Sequence, residues 1–300
     1  MFRPVLQTLL CSAALFVAAN ASADNPWEQV KRPSSQPSDS IGNYSNGCVA
    51  GAAEMPLRGA GFQVMRSDRD RRYGNPELIQ FLEDLSTRVA NRGLGRLQIG
   101  DMSLPRGGPF SHSSHKSHQT GLDVDIWYSQ DARALKRPLT PWEREHVSAI
   151  PLADDDKNQL IEKNWDAMSD TVPQILRLVS EDPRVERIFV HPSIKRKLCD
   201  ISGSDNNWLR KVRPWWGHSY HFHVRLACPD GDRNCKPQHP VTQAACGADL
   251  NWWFSDEFLA LLHGTAPKSK KPKREPPPMP AQCNKVLSAP GARSGTDRQP

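Results

Sequence analysis

No two of the seven cysteines stand in a C-x-x-C pair, so the usual zinc-finger spacing is absent. None of the common RNA- or DNA-binding motifs can be found, and 39 basic residues against 33 acidic give a net charge of only +6, so nucleic acid is not indicated as a partner. There is no internal repeat, which excludes solenoid and propeller arrays. Nor is there an apolar run of the ~20 residues that a membrane-spanning helix needs. The one candidate, residues 5–19, falls short of that.

That short run has the form of a secretory signal. Arg3 precedes it and Ala21-Ser22-Ala23 follows it as a small-x-small cleavage site, so residues 1–23 read as a signal peptide removed on export. An uncleaved membrane anchor is the competing reading, and the cleavage site argues against it. Cys11 raises lipidation, but Leu10 stands where a small residue is expected. The exported chain carries no integral membrane segment and keeps 38 basic and 33 acidic residues, net +5. This small excess, part of it in the Pro-rich run 268–274, is compatible with an anionic cell-wall polymer. An oligomer is equally compatible with the sequence.

Cleavage removes Cys11 and leaves Cys48, Cys199, Cys228, Cys235, Cys246 and Cys283. An even number in an oxidising compartment predicts three disulfides. Fifteen pairings are possible, and only Cys228 with Cys235, enclosing the turn-rich Pro229-Asp230-Gly231-Asp232-Arg233-Asn234, is suggested by proximity. The 26 prolines and nine tryptophans suggest a loop-rich domain whose aromatic residues serve packing and a ligand groove.

Along the chain, residues 27–40 read as an irregular Pro/Ser-rich arm and residues 61–66 as a weak strand. Asn75 as N-cap, Pro76 at the first position, Glu77 in the first turn, Leu78, Leu82, Leu85 and Val89 at helical spacing, and Gly93 at the end predict the clearest helix. A strand over 97–102 follows. Residues 129–166 read as loops with one short helix, the Asp154-Asp155-Asp156 run as solvated. Asp170 is expected to cap a helix carrying Val172, Ile175, Leu176 and Val179; a strand over 185–190 and a short helix from Ser193 to Cys199 come next. Short strands separated by long loops fit an α+β fold, with a central mostly antiparallel sheet, flanking helices and long disulfide-stapled loops, better than a doubly wound parallel one. The expected organisation is a domain over 24–265 and a Pro/Lys-rich extension over 266–300, tied back by Cys283.

Two stretches carry chemistry. On a strand from Tyr220 to Leu226, period-two alternation puts His221, His223 and Arg225 on one face and Tyr220, Phe222, Val224 and Leu226 on the other. Upstream, His112, His115 and His118 lie in a Ser/Gly-rich loop that runs into Leu122-Asp123-Val124-Asp125-Ile126-Trp127. Carboxylates within such a strand are costly to bury unless paired or bound to a cation. Asp123 suits a structural pairing role. His118, Asp125 and His223 could meet around one ion, leaving a fourth position for water, as catalytic zinc sites do. Read alone, the histidine loop is equally an exposed segment that binds metal adventitiously. Trp215, Trp216 and Tyr220 could line a groove, although aromatic residues in such positions are more often core. His146, His191, His239 and His263 have no supporting pattern and read as non-catalytic.

His118-x6-Asp125 followed by His221-x-His223 resembles the zinc-site pattern of the LAS metallopeptidases, a family named for lysostaphin, D-Ala-D-Ala peptidases and sonic hedgehog. Ser117-His118-Gln119-Thr120-Gly121-Leu122-Asp123-Val124-Asp125, Trp208-Leu209-Arg210-Lys211-Val212-Arg213-Pro214-Trp215 and His221-Phe222-His223-Val224-Arg225 are similar to its murein-cleaving branch, with the likeness running from about Cys48 to Cys283. The resemblance implies a periplasmic Zn²⁺-dependent D,D-endopeptidase that hydrolyses D-alanyl-diaminopimelyl cross-links of peptidoglycan. It implies His118, Asp125 and His223 as metal ligands, His115 as a further metal contact, His221 as catalytic base or acid, and His218 as a second catalytic histidine. It also implies the pairings Cys48–Cys283, Cys199–Cys246 and Cys228–Cys235. A D,D-carboxypeptidase of the same family and a non-catalytic zinc-containing wall-binding protein are the alternatives; His221, beyond a bare ligand set, favours an enzyme.

Overall fold

The computed structural model describes residues 25–113, 115–128, 132–267 and 277–292; the signal peptide expected over 1–23 and the basic run 268–274 lie outside them. The fold is α+β around a seven-stranded mixed sheet. Its strands are β1 (Arg58–Gly59), β2 (Phe62–Val64), β3 (Leu97–Ile99), β4 (Asp123–Trp127), β5 (Val185–Val190), β6 (Val212–Pro214) and β7 (His221–Leu226). They lie in the order β6-β5-β7-β4-β3-β2-β1. The β5–β6 and β2–β3 pairs are parallel and the other four antiparallel, so the sheet is mostly antiparallel as the short, loop-separated strands suggest.

Helices cover one face of this sheet. Helix α1 (Pro76–Asn91) starts where expected: the Asn75 side chain accepts the Glu77 amide, and Leu78, Phe81, Leu82, Leu85 and Val89 are buried. Gly93, at φ +68°, takes the left-handed conformation that stops it. Helices α2 (Val172–Ser180) and α3 (Pro192–Ser202) add Ile175, Leu176, Val179, Ile194 and Leu198 to the same core, which also takes Val124, Ile126, Phe222, Val224 and Leu226 from β4 and β7. The opposite face of β4 and β7 is left to Asp123, Asp125, His221, His223 and Arg225.

Several local expectations are corrected. Thr171, not Asp170, stands at the start of α2, with no side-chain cap, because Pro173 sets the helix start closer to Val172. Helix α3 runs on to Ser202, and its N-cap is the buried His191, whose ring accepts the Ser193 amide. Residues 27–40 are not wholly irregular: Pro26–Gln29 is a short helix capped by Asn25, and Trp27 is buried.

All three disulfides pair as the resemblance implies: Cys48–Cys283, Cys199–Cys246 and Cys228–Cys235. The first ties the hairpin of Asp39–Asn43 and Asn46–Ala50 to the helix Ala281–Ser288 over a second small core that includes Trp27, Leu104, Phe110 and Val286. Buried Arg106 completes this junction, donating to the Val286 and Leu287 carbonyls at 2.8 and 2.7 Å where that helix ends.

Lys195 on α3 is 1 % exposed, and its Nζ donates to the Leu209 carbonyl at 2.7 Å. Burial pushes its pKa down to about 7, with Arg213 adding to the shift. An unfolded chain keeps that proton to about pH 10.4. Between these values the unfolded state binds more protons, so stability rises with pH across the window. Denaturant unfolding at pH 6.5 and 9 is expected to show this rise in the wild type and a smaller one in Lys195→Met; equal slopes would remove the buried lysine as its source.

Candidate metal centre

The backbone register of two adjacent strands builds the site. In the antiparallel β4–β7 pair, His223 lies opposite Asp125, Arg225 opposite Asp123 and His221 opposite Trp127. Directly opposed residues share a face, so from the neighbouring strand Asp125 meets an imidazole and Asp123 a guanidinium.

Asp123, fully buried, accepts from His223 Nε2 and Arg225 Nε, both at 2.7 Å, and its other oxygen lies 3.3 Å from the His118 amide. Burial alone would raise its pKa; Arg225 and then His223 hold it well below the carboxylate range. The Arg225 guanidinium is itself sandwiched, 4.2 Å from the Tyr44 ring centroid and 5.2 Å from that of Phe189. Asp123 is thus the structural partner its position suggests, fixing both His223 and the loop that delivers His118.

Among the described residues, Asp125 has no guanidinium of its own. Four imidazoles surround it: His223 Nδ1 at 3.0 Å, His115 Nδ1 at 3.3 Å, His118 Nε2 at 3.4 Å and His221 Nε2 at 3.5 Å. The loop bearing His115 and His118 is pinned by Gln119, which donates to the Ser45 and Lys116 carbonyls and accepts the Gly47 amide. His118 itself sits at φ +70°, in a region costly for a residue with a side chain and characteristic of constrained sites. His112, in the same loop, is exposed.

Charges in this cluster are unbalanced. Two buried carboxylates face one permanent cation, Arg225. Burial would push His223 down, but Asp123 and then Asp125 outweigh it and raise its pKa to about 9, so the cluster draws a second positive charge to itself. Burial pushes His221 down to about 4 and His218 well below its usual value, and it lowers His115. His218 holds Nδ1 3.2 Å from the Trp215 and Trp216 carbonyls. Those oxygens only accept, so Nδ1 carries the proton and Nε2 keeps a lone pair. The His218 and His221 rings are 4.9 Å apart.

The residues fit a divalent cation. His115, His118 and Asp125 place ligand atoms within 4.8 Å of one another. Both His118 ring nitrogens, Asp125 Oδ1 and His221 Nδ1 are buried without a hydrogen-bond partner, an arrangement that is costly unless something else satisfies it. His223 bonded through Nε2 to a carboxylate while Nδ1 faces Asp125 is the outer-shell pattern that orients metal-binding imidazoles. All six residues expected from the sequence therefore converge.

A family model described as penicillin-insensitive murein endopeptidase matches residues 40–288. The chain belongs to this family. A penicillin-insensitive murein endopeptidase of Klebsiella pneumoniae (strain 342) is 42 % identical over 284 residues, covering 93 % of this chain and 97 % of the relative. Those of Citrobacter koseri and Salmonella typhi are 40 % and 39 % identical over 286 residues, each covering 94 % of this chain and 97 % of the relative. For this murein endopeptidase family member, similarity therefore runs through the histidine loop, both site strands and all three disulfides.

Sequence reasoning missed a half-buried support behind His218. Asp155 is not simply part of a solvated acidic run: its Oδ2 accepts from Ser219 Oγ at 2.7 Å, its carbonyl accepts from Trp216 Nε1 at 3.2 Å, and its Oδ1 lies 3.6 Å from His191 Nε2. Burial raises the Asp155 pKa. The Leu152 amide also donates to the Ser219 carbonyl, and the His191 amide to that of His218. The segment carrying His218 is thereby held from two sides. Only the adjacency of Ser219 to His218 hinted at this.

Proposed function

We propose that the chain is a periplasmic Zn²⁺-dependent D,D-endopeptidase that hydrolyses D-alanyl-diaminopimelyl cross-links in peptidoglycan. The observation that carries the reading is Asp125, a buried carboxylate ringed by four imidazoles within 3.5 Å and, among the described residues, unpaired with any arginine. His118, Asp125 and His223 would hold the metal, with His115 as a further contact. This nitrogen and oxygen set suits zinc. Bound zinc would supply Lewis acidity, polarising the scissile carbonyl and lowering the pKa of a water.

The chain's own residues do the rest. His221, beside the ligand set, is the base that accepts the proton of the attacking water and returns it to the leaving amine. His218, its Nδ1 committed to two backbone carbonyls, directs Nε2 toward the same volume and can hydrogen-bond the water or, protonated, the developing oxyanion. No serine nucleophile takes part, so no acyl-enzyme forms and β-lactams have nothing to acylate. A leader over 1–23, a catalytic domain over 24–265 and an extension over 266–300 complete the proposal. Among the described residues no helix is long and apolar enough to cross a membrane.

Digestion of purified sacculi tests this. Metal-loaded protein is expected to deplete cross-linked dimers, and a chelator to abolish the loss. Release of terminal D-Ala alone would instead identify a carboxypeptidase. Sacculi left unchanged by loaded protein would leave only a wall-binding role.

A further inference from the structure

A cavity of about 270 Å³ opens beside the histidine cluster, lined by His115, Asp125 and His221 and also by two arginines, Arg66 and Arg69. Arg69 ends the tight turn Ser67–Arg69, and Arg66 precedes that turn at φ +56°, with Asp70 following it at φ +55°. Two excursions into the left-handed region only four residues apart are costly for non-glycine residues and persist only where the surroundings enforce them. Here they do. The Glu145 carboxylate accepts from the Ser67 amide and hydroxyl at 2.7 and 2.6 Å, and Lys31 pairs with Asp70 at 2.7 Å.

The charge this turn presents is met only in part, by Asp101, which also lines the cavity. Asp101 pairs more closely with Arg71, at 2.8 Å, and the Arg71 guanidinium also lies over Phe110. Arg69 Nη1 stands 3.3 and 3.4 Å from the same carboxylate, outside the short range of a strong charge-assisted bond. Its side chain is 51 % exposed. Arg66 commits one donor to the Val147 carbonyl at 2.9 Å. Arg69 therefore shares Asp101 with the closer Arg71 and, half-exposed, lines the cavity beside Arg66.

We infer that Arg69, assisted by Arg66, binds a free carboxylate of the substrate on the amine side of the scissile bond. This deepens the endopeptidase reading and rests on it. On the acyl side of a D-alanyl linkage the side chain is an uncharged methyl. On the amine side, a D,D bond carries a carboxylate on the carbon attached to the scissile nitrogen. With the carbonyl at the Asp125 centre, that carboxylate is the nearest ionised group and falls toward the adjoining cavity. Arginine's planar fork suits it better than lysine's point charge.

The test uses metal-loaded protein and two cross-linked muropeptide dimers, one with this carboxylate free and one with it converted to the carboxamide. The wild type is expected to prefer the free acid by about tenfold or more in kcat/KM, the size of one charged hydrogen bond. Arg69→Ala should raise KM for the free acid by that factor with kcat little changed, leave the amide unaffected, and so erase the preference. Arg69→Lys should retain part of it. Metal content and thermal melting verify the fold, and Arg69→Gln serves in place of the alanine variant if that variant melts early. An equal effect of Arg69→Ala on both substrates, or none on either, overturns the assignment while the endopeptidase reading stands. A wild type that cleaves neither dimer overturns both.

Discussion

His221→Ala retains one equivalent of metal and loses turnover, whereas His223→Ala loses the metal. This contrast is expected although the two imidazoles share a strand face two residues apart. His223 Nδ1 approaches Asp125 Oδ1 to 3.0 Å while Nε2 is anchored on Asp123 at 2.7 Å, so its ring is oriented to present one nitrogen to a cation. His221 has no such anchor: Nε2 lies 3.5 Å from Asp125, and Nδ1 is buried without a partner. A ring free of both anchor and ligand duty can take up and release a proton. Removing a general base costs about 10²- to 10⁴-fold in rate, and His221→Ala should fall in that range in kcat. Removing His223 takes away one of the three proposed ligands and leaves His118 and Asp125 with only the further contact of His115 to complete a catalytic zinc set. Metal analysis after dialysis, run beside muropeptide turnover, distinguishes the two variants. Equal metal loss in both would reverse the assignment of roles.

The parts of this centre that obey a local rule were legible in the sequence. Strand alternation puts His221, His223 and Arg225 on one face and Asp123 with Asp125 on another, and the buried cost of those carboxylates calls for partners. That β4 and β7 are neighbours, in the register that sets His223 against Asp125, is a long-range pairing that alternation does not specify; the resemblance to a known zinc site supplied it. The helix from Pro76 was readable because its N-cap, proline and terminal glycine each act within a turn of their own position. The Ser67–Arg69 turn was not. Its flanking left-handed residues are an arginine and an aspartate, with no glycine to announce them, and they are held by Glu145 and Lys31 from distant segments. Asp155 was hidden for a related reason: three consecutive aspartates read as solvated, and which of them turns inward depends on Ser219 and Trp216. Thr171 displaced Asp170 at the start of α2 because a proline inside the first turn constrains the helix start more firmly than a favourable capping side chain does.

Asp123→Ala is expected to damage both the fold and the metal centre, and a second substitution should separate the two effects. The carboxylate is fully buried and bonded to Arg225 and His223 at 2.7 Å each. Its loss strands a buried guanidinium, which breaking a buried ion pair predicts will cost about 3–5 kcal/mol of stability. It also frees His223 to turn, and loss of such an outer-shell carboxylate lowers metal affinity about 10- to 100-fold. Replacing both members of a buried pair by apolar groups is often neutral, so Asp123→Ala combined with Arg225→Met should regain much of the stability lost by Asp123→Ala alone. The same double variant should not regain metal affinity, because His223 still lacks its anchor. Denaturant unfolding in the presence of chelator reads the first effect free of any stabilisation by bound metal, and competition against a chromogenic chelator reads the second. Recovery of both quantities together would mean that Asp123 serves the metal only by keeping Arg225 paired; recovery of stability alone makes it the positioning residue for His223.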